Sequence, residues 1–81
     1  MSYTVYVLKD RYNRIYVGQT KNFDKRLEEH VSGKTKSLRN RNPFEVLYTE
    51  IVETRVEAVQ RELALKSGQG RAWLKSKIMG L

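Results

Sequence analysis

Tyr3-Thr4-Val5-Tyr6-Val7-Leu8 and Arg14-Ile15-Tyr16-Val17-Gly18, separated by the polar Lys9-Asp10-Arg11-Tyr12-Asn13, set the architecture of this chain. In the first segment Tyr3, Val5 and Val7 alternate with Thr4, Tyr6 and Leu8. In the second, Ile15 and Val17 alternate with Arg14, Tyr16 and Gly18. Period-two patterning in β-branched and aromatic residues predicts two strands, and the turn-like Asp10–Asn13 between them predicts a hairpin. Matching the apolar faces pairs Val5 with Val17 and Val7 with Ile15. That register sets Tyr6 directly opposite Tyr16 on the other face.

Downstream, Asn22 is placed to cap a helix running through Val31, with Gly33 near its end. Phe23, Leu27 and Val31 form its apolar stripe. Pro43 punctuates a basic loop, and Phe44–Ile51 reads as a third strand. Thr54-Arg55-Val56-Glu57 is a capping box for a second helix ending near Lys66. Gly68 and Gly70 read as a break and turn, followed by a short helix over Arg71–Met79 that is anchored by Trp73 and ends near Gly80. The element order is ββαβαα. It predicts a single α+β domain over residues 1–81, a three-stranded antiparallel sheet flanked by helices.

Composition narrows the function. The 81 residues are 40% hydrophobic and 31% charged, a balance that supports a small core. With no cysteine, a disulfide scaffold, thiolate metal ligation and a cysteine nucleophile are all excluded. No apolar run exceeds four residues, so a membrane partner is not expected, and a cytoplasmic location is the default. Net charge is +7 and uneven: residues 1–42 carry +6, residues 43–62 carry −3 and residues 63–81 carry +4. The densest stretch holds Lys34, Lys36, Arg39 and Arg41 among Ser, Thr and Asn, and points to nucleic acid as the partner.

Glu62 falls inside the second helix's apolar arc, between Ala58/Leu65 and Val59/Leu63. A carboxylate there needs either an ion-pair partner, which Lys66 four residues on can supply, or a metal. Both readings stand. Arg26 and His30, four apart, share one edge of the first helix. Arg26 either offers its fork to phosphate or pairs with Glu29. His30, the only histidine, rules out a histidine-based metal cage and is either a satisfied edge residue or a proton-transfer group. Tyr6 and Tyr16 are cross-strand packing unless nearby cations lower a phenol from its usual pKa of about 10. Gly68-Gln69-Gly70 follows a helix and lacks a third glycine, so it is not a phosphate-binding loop.

Taken together, Thr4-Val5-Tyr6, Tyr16-Val17-Gly18, Lys25-Arg26-Leu27 with His30, and Arg61-Glu62-Leu63 resemble the GIY-YIG nuclease family, which includes the N-terminal nuclease domain of a bacterial excinuclease. The resemblance spans nearly the whole chain. Leu38-Arg39-Asn40-Arg41-Asn42-Pro43-Phe44 and Leu65-Lys66-Ser67-Gly68-Gln69-Gly70-Arg71 are similar to segments of its small stand-alone bacterial members. The resemblance implies cleavage of nucleic-acid phosphodiesters with one divalent metal ion, Mg2+ or Mn2+, held by Glu62. Tyr6 would be the general base and Tyr16 its support; Arg26 would bind the scissile phosphate, and His30 would assist the Tyr6 proton or orient the water. Gly18 would let the backbone approach substrate. Gly18, Lys21, Lys34, Lys36, Arg39 and Arg41 are the expected nucleic-acid contacts, with structured, damaged or single-stranded DNA favoured over RNA. A binding module without efficient cleavage is the alternative, as is a subunit completed by a protein partner that supplies target recognition. Thr4 and Val5 replace the glycine and isoleucine of the first signature, Gln19 replaces a common lysine, and no asparagine after Glu62 matches the one some members carry.

Overall fold

A computed structural model describes residues 2–32 and 43–77. The elements are β1 (Tyr3–Lys9), β2 (Ile15–Thr20), α1 (Phe23–Val31), β3 (Glu45–Val52), α2 (Arg55–Lys66) and α3 (Gly68–Lys77). The strands form one antiparallel sheet in the order β2-β1-β3. This is the expected ββαβαα α+β architecture. β1 is central, which fits its composition, since Val5, Tyr6, Val7 and Leu8 are all buried.

The hairpin register differs from the expected one by two residues. Val7 lies opposite Val17, Leu8 opposite Tyr16 and Tyr6 opposite Gly18. The loop is the cause. The Asp10 carboxylate accepts hydrogen bonds from the Tyr12 and Arg14 amides at 2.8 and 2.9 Å, and the Asp10 amide donates to the Arg14 carbonyl. Asn13, at φ 63°, completes a three-residue loop that ends in a left-handed residue. Closing the hairpin at Asp10 and Arg14 fixes every later pair. A two-residue slip preserves the faces, so Tyr6 and Tyr16 still share one, now on a diagonal.

The two faces of the sheet are covered differently. Val5, Val7 and Val17 join Ala58 and Leu65 of α2 and Leu74 of α3 in the main core. Tyr6 lies on the other face, with rings of Phe23 and His30 from α1 against it. Asn22 and Thr54 cap α1 and α2 as expected, accepting from the Lys25 and Glu57 amides. Helix α1 buries its apolar stripe only in part: Phe23 and Leu27 are half-buried, Val31 is 52% exposed, and the one fully buried residue of the helix is His30.

The expected break at Gly68 and Gly70 is instead the first turn of α3. Ser67 ends α2, and its hydroxyl accepts from the Gly70 amide at 3.1 Å. A Cβ on Gly70 would strike the Ala64 carbonyl and the Leu65 backbone, so glycine is what allows α3 to fold back against α2. Leu74, not Trp73, is the buried anchor of α3. Trp73 packs edge-on against Tyr48, with ring centroids 5.4 Å apart.

Candidate active site

Strand alternation and the observed register bring Tyr6, Tyr16 and Gly18 onto one face, and α1 lays Arg26 and His30 over it. The Tyr6 hydroxyl lies 2.9 Å from His30 Nε2, and both side chains are buried. Tyr6 touches Phe23, Tyr16 and His30 at centroid distances of 5.2, 6.2 and 5.9 Å, and Tyr16 meets His30 edge-on at 5.4 Å. Gly18 is buried beneath the phenol; a Cβ there would sit 2.5 Å from the Tyr6 hydroxyl and 2.6 Å from Cζ. The missing side chain therefore makes room for Tyr6, a nearer cause than the expected approach to substrate.

The electrostatics of this cluster favour neutral rings beside one permanent cation. Burial, reinforced by Tyr16, pushes the Tyr6 phenol up to about 12, while the Arg26 guanidinium beside it pulls the other way. Burial and then Arg26 hold His30 below the ordinary histidine value. Tyr6 thus remains a protonated phenol at neutral pH. It donates to Nε2 when His30 carries its own proton on Nδ1. The hydrogen bond to Tyr6 is the main cause that raises the Arg26 pKa, and Glu29 pairs with its outer side at 3.4 Å. The expected Arg26–Glu29 ion pair is present, and the same guanidinium also lies beside Tyr6.

Glu62 stands on α2, on the other side of the sheet, and Lys66 reaches its carboxylate at 3.2 Å. The expected ion pair exists. The apolar arc around Glu62 is narrower than expected, because Ala58 and Leu65 are buried whereas Val59 and Leu63 are exposed. Glu62 thus borders the buried stripe, with its side chain 23% exposed. Arg61, on the opposite border, hydrogen-bonds Glu50 of β3 at 2.8 and 3.0 Å. Successive helix residues turn about 100°, so Glu62 flanks the stripe toward β2. Its hard oxygen donors suit Mg2+ or Mn2+. Among the described residues no group of three or more His, Cys, Asp or Glu forms a metal cage. An ion at Glu62 would be completed by water and phosphate oxygens.

Beside this cluster, Gln19, Thr20, Lys21, Asn22, Lys25, Arg26 and Glu29 line an open cleft of about 330 Å3. Lys21, expected to contact nucleic acid, lies on its rim and over the Tyr3 ring at 5.7 Å. Lys34, Lys36, Arg39 and Arg41 lie outside the described residues. Sequence reasoning missed the Glu50–Arg61 pair, which Tyr48 joins through a 3.0 Å hydrogen bond from its hydroxyl to Glu50. An acid on the core-facing parity of β3 was the available signal.

Comparisons with known proteins agree with this fold. The description of the GIY-YIG catalytic domain matches residues 2–75. A UPF0213 protein of Oceanobacillus iheyensis is 43% identical over 63 residues, 76% of this chain and 73% of that protein. One from Natronomonas pharaonis is 39% identical over 64 residues, covering 78% and 75%. The solution NMR structure of a UPF0213 protein from Bacillus halodurans superposes with a TM-score of 0.60 at 33% identity, covering 94% of this chain and 84% of that one. The chain belongs to the GIY-YIG family of endonuclease domains, among relatives of the UPF0213 group.

Proposed function

We propose that this protein is a divalent-metal-dependent endonuclease that hydrolyses phosphodiester bonds in structured, damaged or single-stranded DNA. The observation that carries the reading is the 2.9 Å contact between the Tyr6 hydroxyl and His30 Nε2, buried beside the Arg26 guanidinium. A phenol near 12 is a poor base by itself. Paired with a neutral imidazole, it can pass its proton on while taking another. The attacking water gives its proton to the Tyr6 oxygen as the phenolic proton moves to Nε2. The water oxygen then bonds to phosphorus, the bond to the leaving oxygen breaks, and that oxygen takes a proton from solvent.

Arg26 binds the scissile phosphate and offsets its growing negative charge. Tyr16 walls the site and holds the His30 ring edge-on. Glu62 would hold a divalent ion at the β2 side of α2, and such an ion would supply further positive charge for the phosphate. The absence of cysteine suits a reducing compartment such as the cytoplasm. A protein partner would supply target recognition.

The test is cleavage of a panel of labelled DNA and RNA structures in Mg2+, Mn2+ or chelator, with Glu62→Gln run beside the wild type. Cleavage that needs the metal and disappears in Glu62→Gln supports the proposal. Binding without cleavage in the wild type, or activity that survives the substitution, overturns it.

A further inference from the structure

β2 is an edge strand, and the two ends of that edge carry separate positively lined clefts. The cleft at the C-terminal end of β2 holds Lys21, Lys25 and Arg26 and belongs to the site described above. At the N-terminal end, Asn13, Arg14 and Ile15 of the hairpin meet Arg71 and Lys75 of α3 around a second cleft of about 400 Å3. Among the described residues, no carboxylate lines it. Among the described residues, no acidic side chain forms an ion pair with Arg11, Arg14, Arg71 or Lys75. Their side chains contact neutral groups, and the Asp10 carboxylate of the same hairpin accepts from the Tyr12 and Arg14 amides. Arg11 and Arg14 lie 5.5 Å from the centroid of the Tyr12 ring, which is 56% exposed, and Arg71 Nε donates to the Lys66 carbonyl at 3.2 Å. The ring and the carbonyl orient the guanidinium groups without cancelling them.

We infer that this second cleft is a phosphate-binding subsite for the nucleic acid, in which Arg14, Arg71 and Lys75 hold the backbone of the strand that leaves the catalytic face along the β2 edge. The inference rests on the proposed nuclease reading and adds to it a direction and a length. β2 has six residues, which at ~3.3 Å each separate the two clefts by roughly 20 Å. One strand of a B-form duplex places a phosphate about every 3.4 Å along the axis, so roughly six nucleotides span the edge. Three cations, one from the hairpin loop and two from α3, converge on one cleft with no acid among its described lining residues, which makes a polyanion the fitting ligand.

The experiment is fluorescence anisotropy of labelled single-stranded and duplex DNA from 4 to 16 nucleotides, titrated with the full chain across a salt series in chelator. It compares wild type, the triple variant Arg14→Gln/Arg71→Gln/Lys75→Gln, and Arg55→Gln, which lines a different surface. Each lost phosphate contact lowers the slope of log affinity against log salt by about 0.7–0.9, so the triple variant should lose about 2–3 units of slope. Referred to 1 M salt, the same slope corresponds to a roughly fifty- to two-hundredfold weaker affinity near 0.15 M salt. Wild-type affinity should rise as the oligonucleotide passes about six residues, and the triple variant should lose that rise while Arg55→Gln keeps it. Circular dichroism melting confirms that the variants are folded, since the three side chains are exposed. An unchanged slope and length dependence in the triple variant overturn the subsite and leave the nuclease proposal standing. No binding or cleavage of any nucleic acid by the wild type overturns both. Binding to phosphatidylserine vesicles without DNA binding overturns the subsite in favour of a lipid surface.

Discussion

Substituting Gly18→Ala probes how tightly the site is built. Alanine would ordinarily stabilise a strand by about 0.4–1 kcal/mol relative to glycine, by reducing the freedom of the unfolded chain. Here the new methyl would lie 2.5 Å from the Tyr6 hydroxyl, 2.6 Å from Cζ and 3.1 Å from a Tyr16 ring carbon. Ordinary contact begins near 3.5 Å, so the overlap with Tyr6 is about 1 Å. The phenol cannot swing aside freely, because Phe23, Tyr16 and His30 pack around it and its hydroxyl meets His30. Overpacking of this kind costs about 1–3 kcal/mol. At about 4–8 °C per kcal/mol for a domain of this size, the melting temperature should fall by roughly 5–20 °C. Cleavage should fall further than stability, since Tyr6 and His30 are moved apart. Adding Tyr6→Phe should rescue little of the loss, because Cζ is almost as close as the oxygen. Differential scanning calorimetry on the variants decides the matter. A melting temperature equal to or above that of the wild type would refute the packing of Tyr6 onto Gly18.

The pH dependence should report His30. Its folded pKa is lowered, first by burial and then by Arg26, so the acid limb of the cleavage rate should have its midpoint below the usual 6.5 and vanish in His30→Gln; a midpoint at or above 6.5 would contradict the role. Stability has the same sign. The unfolded chain binds the proton more readily, so the His30 contribution is whole above pH 6.5 and is lost as the pH falls through the lower folded value. Gly70→Ala should be more disruptive than Gly68→Ala, because its Cβ would meet helix backbone whereas Gly68 faces open space. Thermal melts should show a loss of about 1–3 kcal/mol at Gly70 and much less at Gly68, and equal effects would refute the close crossing of α2 and α3.

Strand positions, caps and element order were legible because they depend on local periodicity and on side chains that bond neighbouring amides, as at Asn22 and Thr54. The hairpin register was not, because apolar matching fits two alignments equally well. The Asp10 carboxylate, bridging to two amides, selects one of them. Burial of His30 in place of Val31 was also hidden. Hydropathy places valine inwards, but the face beneath α1 is lined by tyrosine, and a phenol offers the imidazole a hydrogen-bond partner. Gly70 looked like a break because propensity counts against glycine in a helix; the close approach of α2, a tertiary fact, requires it. The residues of the candidate site could be named from their motif pattern. Their electrostatic state needed the fold, since burial raises the Tyr6 pKa despite the adjacent arginine.

The most direct measurement is the single-turnover cleavage rate of Tyr6→Phe in Mn2+, well below its melting temperature. The variant keeps the ring and its contacts and removes only the oxygen that receives the proton of water. With Tyr6 as that acceptor, the rate should fall by about 10²–10⁴-fold with little change in DNA affinity. A rate within a few-fold of the wild type would contradict proton transfer through Tyr6 and His30.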